Sequence, residues 1–197
     1  MAFQYAIVLT GSIATGKSSA ANILKKLGFE IIDADSIAHM ILDEQHEVIS
    51  GLFGSHLIHD GKVDRKSLGQ IVFSDSTKRK ILEDLLHPLI YTHIEHLAEQ
   101  LDKKKTPYLV DIPLFFEGNR YPIEKSLVVS TPKNLQLRRL MQRDNSDSTQ
   151  AQKRIDTQIS IEKKRQKAHY VIDNSGTLAQ LERECKRVHD EIIKDFR

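Results

Sequence analysis

Residues 11–18 read Gly-Ser-Ile-Ala-Thr-Gly-Lys-Ser, a full match to G-x-x-x-x-G-K-[ST], set between the apolar run Tyr5–Thr10 and an amphipathic stretch from Lys17 to Leu27. A buried strand, a glycine-bearing turn and a helix in that order leave few folds open, because the turn is shaped to hold phosphate. Gly11 and Gly16 let the backbone turn tightly, so that successive N–H groups face inward toward phosphate oxygens. The helix opening near Lys17 adds its positive N-terminal end. Lys17 can reach the β- and γ-phosphates of a nucleoside triphosphate, and the Ser18 hydroxyl can ligate Mg²⁺. The expected ATP-binding stretch is therefore Gly11, Ser12, Ile13, Ala14, Thr15, Gly16, Lys17 and Ser18, with Ser19 beside it.

Beyond this loop the chain alternates strand and helix patterns. Glu30–Asp33, Tyr108–Ile112, Ser126–Ser130 and Tyr170–Asp173 are short apolar runs of the kind found in parallel strands buried on both faces. Thr131-Pro132 predicts an N-cap and first helical residue for a helix to about Arg143. Thr177, with Gln180 three residues on, predicts a capping box for a last helix to about Phe196. Five strands separated by helices imply an α/β fold: a three-layer α/β/α arrangement around a five-stranded parallel sheet. Two stretches depart from simple alternation. Residues 36–103 show no convincing strand and read as several helices, with Ile81, Leu82, Leu85, Leu86, Leu89 and Ile90 at helical spacing. Residues 144–168 are polar, helical in pattern and basic. The expected division is one domain with a core of about 1–35, 104–143 and 169–197, an inserted helical acceptor-binding subdomain of about 36–103, and a mobile helical lid of about 144–168 over the strands' C-terminal edge, where such folds bind ligands.

Charge sharpens this reading. The formal net charge is only +2, yet residues 133–167 hold ten Lys and Arg against four acids, a local +6 that leaves the rest of the chain at −4. A basic block on a mildly acidic body suits a focused anionic ligand better than a nucleic-acid surface. Arg139 and Arg143 lie four apart, on one helix face, and arginines on a closing flap could stabilise the charge that spreads over a transferring phosphoryl group. Asp33-Ala34-Asp35 closes the second strand at the edge where the phosphate loop lies. One carboxylate can orient or deprotonate an acceptor hydroxyl and the other can help hold hydrated Mg²⁺, although either could simply cap the following helix. Asp111 closes the third strand, where a carboxylate can serve magnesium or merely end a turn.

No guanine-reading N-K-x-D follows the loop, and the chain is short for a motor or transport ATPase, so a small kinase fits best. A kinase for nucleoside monophosphates or another small metabolite, and a nucleotide-binding regulator without turnover, are the alternatives. A single Cys, at 185, excludes an internal disulfide framework and a cysteine-rich zinc site. The His93 and His96 pair, three residues apart, reads as a solvated helix face. The longest apolar run near the N-terminus is four residues, so neither a signal peptide nor a membrane span is expected, and the chain reads as cytoplasmic.

Gly11–Ser18, Ile32-Asp33-Ala34-Asp35, His87-Pro88-Leu89-Ile90, Asp111-Ile112-Pro113-Leu114-Phe115-Phe116-Glu117, Gln142-Arg143-Asp144 and Val171–Gly176 together resemble the bacterial dephospho-CoA kinases, in order and spacing, over essentially the whole chain. The resemblance implies ATP-dependent phosphorylation of the ribose 3′-hydroxyl of dephospho-CoA, the last step of coenzyme A biosynthesis, with ATP, Mg²⁺ and dephospho-CoA as partners. A monomer or small homo-oligomer is expected, with neither nucleic acid nor membrane involved. By position it implies Asp35 as the base or orienting carboxylate, Lys17 and Ser18 serving phosphates and Mg²⁺, lid and ATP-proximal arginines in the block with Arg139 and Arg143, and Asn174 near the adenine of ATP. On the residues themselves, Arg143 joins Lys17 as a catalytic candidate and Asp33 and Asp111 join Ser18 toward the metal. The family's usual loop is G-G-I-G-S-G-K-[ST], whereas Ser12, Ala14 and Thr15 stand here. The Ala14 Cβ calls for a negative φ, and a positive one would predict weaker ATP affinity.

Overall fold

The structure is a computed structural model that describes residues 2–118 and 120–197. It divides into two compact units, one holding the residues up to Ile32 with Ala98–Arg197, the other Asp33–Leu97. In chain order the elements are β1 (Ala6–Gly11), α1 (Lys17–Lys26), β2 (Ile31–Asp33), α2 (Ala34–Glu44), α3 (His46–Phe53), β3 (Ile58–His59), β4 (Lys62–Val63), α4 (Arg65–Ser74), α5 (Ser76–Asp102), β5 (Tyr108–Asp111), α6 (Phe115–Gly118), β6 (Lys125–Ser130), α7 (Lys133–Asp144), α8 (Ser148–Asp156), α9 (Ile161–Lys167), β7 (Tyr170–Asp173) and α10 (Leu178–Asp195).

Every residue of β1 is buried, which is why it occupies the middle of a five-stranded sheet ordered β2-β5-β1-β6-β7. The β1 pairs with β5 and β6, and the β6 pair with β7, are all parallel. The chain passes from β5 across β1 to β6, so β1 marks the point where the strand order reverses. In such sheets the crevice beyond the C-terminal strand ends at that point is the place for a ligand. Register then matters for chemistry: Leu9 lies opposite Asp111 and Gly11 opposite Val129, which sets the acidic end of β5 beside the end of β1. Alternate residues face opposite sides. Ile7 and Leu9 join Ala20 and Leu24 of α1 and Leu181, Cys185, Val188 and Ile192 of α10 in one core. Ala6 and Val8, on the other side, are equally buried, so the sheet is covered on both faces.

The inserted unit has its own apolar centre, Leu42, Ile49, Leu57, Val63, Leu68 and Val72, against which Leu82, Leu85 and Leu86 of α5 pack. Ile81 and Leu89, which share the helical spacing, are 41% and 38% exposed. The all-helical expectation for this region needs correction. Ile58–His59 pairs antiparallel with Lys62–Val63 through an Asp60-Gly61 turn with φ of 51° and 73°, the positive pair that a two-residue hairpin turn needs. Helix α5 runs 27 residues with Pro88 inside it, where one N–H of the helical ladder is missing. Among the described residues no helix is long and apolar enough to cross a membrane.

At the other end of the chain the expected capping box is present: the Thr177 hydroxyl accepts from Gln180 N–H, and the Gln180 side chain accepts from Thr177 N–H. Helix α7 differs from expectation. Pro132 takes the N-cap position with no side-chain cap, because the buried Thr131 hydroxyl is engaged elsewhere. Losing the Thr177 cap should cost about 1 kcal/mol. Thr177→Ala is thus expected to lower the thermal midpoint by about 2–4 °C, with Thr177→Ser close to wild type, as read by circular dichroism.

Candidate active site

The loop between β1 and α1 takes its shape from where its backbone oxygens go. Ser12 O accepts both Thr15 N–H (3.2 Å) and Thr15 Oγ1 (2.9 Å). This closes a four-residue turn whose third residue, Ala14, has φ 61°. The expectation of a negative φ at Ala14 is therefore wrong, and the turn supplies the reason: a type II turn requires positive φ at its third position. The Ala14 side chain offsets part of that cost by packing with Ile13 against Leu140, Ala151 and Ile155.

Gly16 has φ 84° and ψ 25°, and begins α1 with no side chain to cap it. The N–H groups of Lys17 and Ser18, at the very start of α1, are left for an anion. A Cβ on Gly16 would meet Asn174 Nδ2 at 2.1 Å, and one on Gly11 would meet Thr15 Oγ1 at 2.7 Å and Val129 O at 3.0 Å. Both glycines are therefore required by space, and Gly16 by backbone conformation as well.

Lys17 leads α1 and its ammonium is paired with Asp111 Oδ1, with the two side chains only 19% and 11% exposed. Ser18 and Ser19, next along the helix, are exposed. Behind the loop, buried Asn174 donates from Nδ2 to Thr15 O (2.8 Å). The Thr131 hydroxyl lies against Thr15 O (3.1 Å) and Asn174 O (3.0 Å). Arg139 donates to the Thr131 hydroxyl (3.2 Å) and to Asn174 O (3.1 Å).

The structure thus brings Gly11–Ser18, Asp111, Arg139 and Asn174 together within one unit. Arg143 sits at the exposed end of α7, where its Nε holds Asp144 Oδ1 at 2.7 Å, and Arg154 pairs with the same carboxylate. The Arg143 guanidinium beside it holds the Asp144 carboxyl down to about 2. Asp33 and Asp35 belong to the other unit. There Asp33 caps α2, accepting from Ser36 N (3.0 Å) and Ser36 Oγ (2.9 Å), and Asp35 is exposed in the first turn of α2.

For Mg²⁺, the exposed Ser18 hydroxyl and the Asp111 carboxylate are hard oxygen donors of the type that ion takes, in company with phosphates and water. Among the described residues no three His, Cys, Asp or Glu side chains are gathered to hold a metal ion by themselves. Sequence reasoning missed Thr131, Glu117, Gln158 and Lys164 as parts of the loop's surroundings. Only Glu117, at the end of the Asp111–Glu117 segment, and Lys164, in the basic block, carried any signal.

A phosphate loop at the reversal point of a five-stranded parallel sheet, with its lysine set against a strand-end carboxylate, defines the class as a P-loop kinase. A family model for dephospho-CoA kinase matches residues 5–180. The dephospho-CoA kinase of Sulfurimonas denitrificans is 45% identical, over 98% of this chain and 96% of that one. That of Wolinella succinogenes is 44% identical, over 98% and 97%. A solved dephospho-CoA kinase from Campylobacter jejuni aligns with a TM-score of 0.72 at 41% identity, covering 96% of this chain and 98% of its own. The chain belongs to the dephospho-CoA kinase family.

Two substitutions test the loop geometry in opposite directions. Ala14→Gly removes a left-handed penalty of about 1 kcal/mol and should tighten ATP binding by up to about fivefold, measured by isothermal titration. Gly16→Ala collides with Asn174 in a disfavoured backbone conformation and should weaken ATP binding by about tenfold or more while the circular dichroism spectrum stays native.

Proposed function

We propose that this chain transfers the γ-phosphoryl group of ATP to the ribose 3′-hydroxyl of dephospho-CoA, forming coenzyme A and ADP. The observation that carries this reading is the finished phosphate loop: Gly16 left-handed, Lys17 paired with Asp111, and Thr15 tied from behind by Asn174 and Thr131. A protein that catalyses phosphoryl transfer contributes mainly position and charge, since the metaphosphate-like transition state needs little covalent help. The loop amides and Lys17 would bind the β- and γ-phosphates. Mg²⁺, held by Ser18 and Asp111 through the nucleotide, would neutralise charge on the phosphate oxygens.

Asp35 would orient the acceptor hydroxyl and take its proton as the oxygen attacks phosphorus and the bond to ADP breaks. Its place two residues beyond the Asp33 cap supports this reading, because the helix needs only one cap and Asp35 is left over for chemistry. Arg139 fits a role beside ATP through Asn174, and Arg143 can serve transferring phosphate only by exchanging Asp144 for it. ATP and dephospho-CoA are cytoplasmic metabolites, and the reaction is proposed to run there.

An ADP-release assay with dephospho-CoA against a panel of nucleoside monophosphates and other hydroxyl acceptors tests the substrate. Turnover with a monophosphate and none with dephospho-CoA would refute it. Asp35→Asn should lower kcat by about 10²-fold or more with near-normal ATP binding, and an unchanged kcat would reduce Asp35 to a helix residue. Lys17→Ala should lose ATP binding and activity together.

A further inference from the structure

The segment expected to form a mobile lid grips the phosphate loop at its opening. Lys164 of α9, 0% exposed, is the one buried cation among the described residues. Its Nζ donates to Gly11 O at 2.8 Å and pairs with Glu117 Oε1 of α6 at 2.8 Å. Glu117 also accepts Ile159 N–H at 3.0 Å, so this carboxylate joins α9 and the residues just before it to α6. A second contact comes from Gln158, between α8 and α9, whose Oε1 accepts Ile13 N–H at 2.9 Å.

These contacts have a common target. A peptide unit is planar, so fixing its oxygen or its N–H fixes the whole plane. Gly11 O belongs to the plane before Ser12, and Ile13 N–H to the plane after it. The two peptide planes on either side of Ser12 are thus both set from the α8–α9 segment. An ammonium is buried only where its partners replace water, and here one of the two partners is a loop carbonyl. Lys164 is part of the basic block, yet it is committed to a carbonyl and a carboxylate rather than turned out toward an anion.

We infer that Lys164, braced by Glu117 and seconded by Gln158, is a positioning residue for ATP: it sets the peptide planes that open the phosphate loop. This rests on the reading of that loop as the ATP site. It also assigns Glu117, the last residue of the segment that began at Asp111, a task apart from the reacting atoms.

The competing account is an ion pair that serves stability alone, and paired variants separate the two. Lys164→Met strands the Glu117 carboxylate, and should lower the thermal midpoint by roughly 10 °C. It should also raise the Kd for Mg-ATP and the KM for ATP about tenfold, with the KM for dephospho-CoA moving less than about twofold. In Lys164→Met/Glu117→Gln no charge is stranded, so the midpoint should recover while ATP affinity stays weak. A double variant that regains wild-type ATP affinity, or a Lys164→Met protein whose ATP Kd is unchanged, overturns the inference. Should Lys164→Met fail to fold, Gln158→Ala removes one neutral hydrogen bond and should still weaken ATP binding by about threefold. Unchanged affinity there would count against the inference. Lys17→Ala, titrated alongside, keeps the two readings apart: ATP binding by wild type that is lost in Lys17→Ala upholds the loop as the ATP site whatever Lys164 does.

Discussion

A backbone loop can turn its N–H groups inward only where its carbonyls are satisfied outward. In this chain the outward accounting is specific. Gly11 O takes the Lys164 ammonium, Ser12 O takes the Thr15 amide and hydroxyl, and Thr15 O takes Asn174 and Thr131. Gly16 O takes the N–H groups of Ser19 and Ala20, which start α1. Ser12 O and Gly16 O find their donors within the loop and the helix it opens, but Gly11 O and Thr15 O are held by Lys164, Asn174 and Thr131 from far along the chain, so the loop is shaped by the assembled sheet and its flanking helices as well as by its own glycines.

That dependence explains why one unit is assembled from both ends of the sequence. β6 is followed by Thr131 and β7 by Asn174, and both strands lie on the same side of β1 in the sheet. β5, on the other side, delivers Asp111 to Lys17, and the turn after it delivers Glu117 to Lys164. The strand order therefore has a chemical meaning: β5 and β6, which flank β1, and β7 beyond β6 end in the carboxylate and donors that the loop needs. Arg139 adds a planar fork to this set, bonding the Thr131 hydroxyl and the Asn174 carbonyl together.

Much of this could be read from the sequence, because short apolar runs between helical patterns leave little choice but a parallel sheet, and because the glycine–lysine spacing has few other uses. The Thr177–Gln180 box was legible for the same local reason. Contacts between distant residues were not. Thr131 looked like a helix cap, and only the fold shows its hydroxyl reaching a loop 116 positions earlier. Lys164 looked like one more charge in a basic block suited to an anionic ligand. The β3–β4 hairpin escaped because its strands are two residues each, too short for alternation to register, although Asp60-Gly61 is a turn signal in its own right. Ala14 misled because an alanine argues for negative φ, whereas the turn around it decides the sign.

The only cysteine of the chain has a bearing on the chemistry it handles. Cys185 lies at 0% exposure in the core between the sheet and α10, and burial pushes its thiol up to about 11. Dephospho-CoA and coenzyme A each end in a free sulfhydryl, and any accessible thiolate on the enzyme would be open to mixed-disulfide formation with them. With its sole sulfhydryl neutral and out of reach, this protein can work among thiol metabolites without becoming covalently trapped by its own substrate or product when conditions turn oxidising.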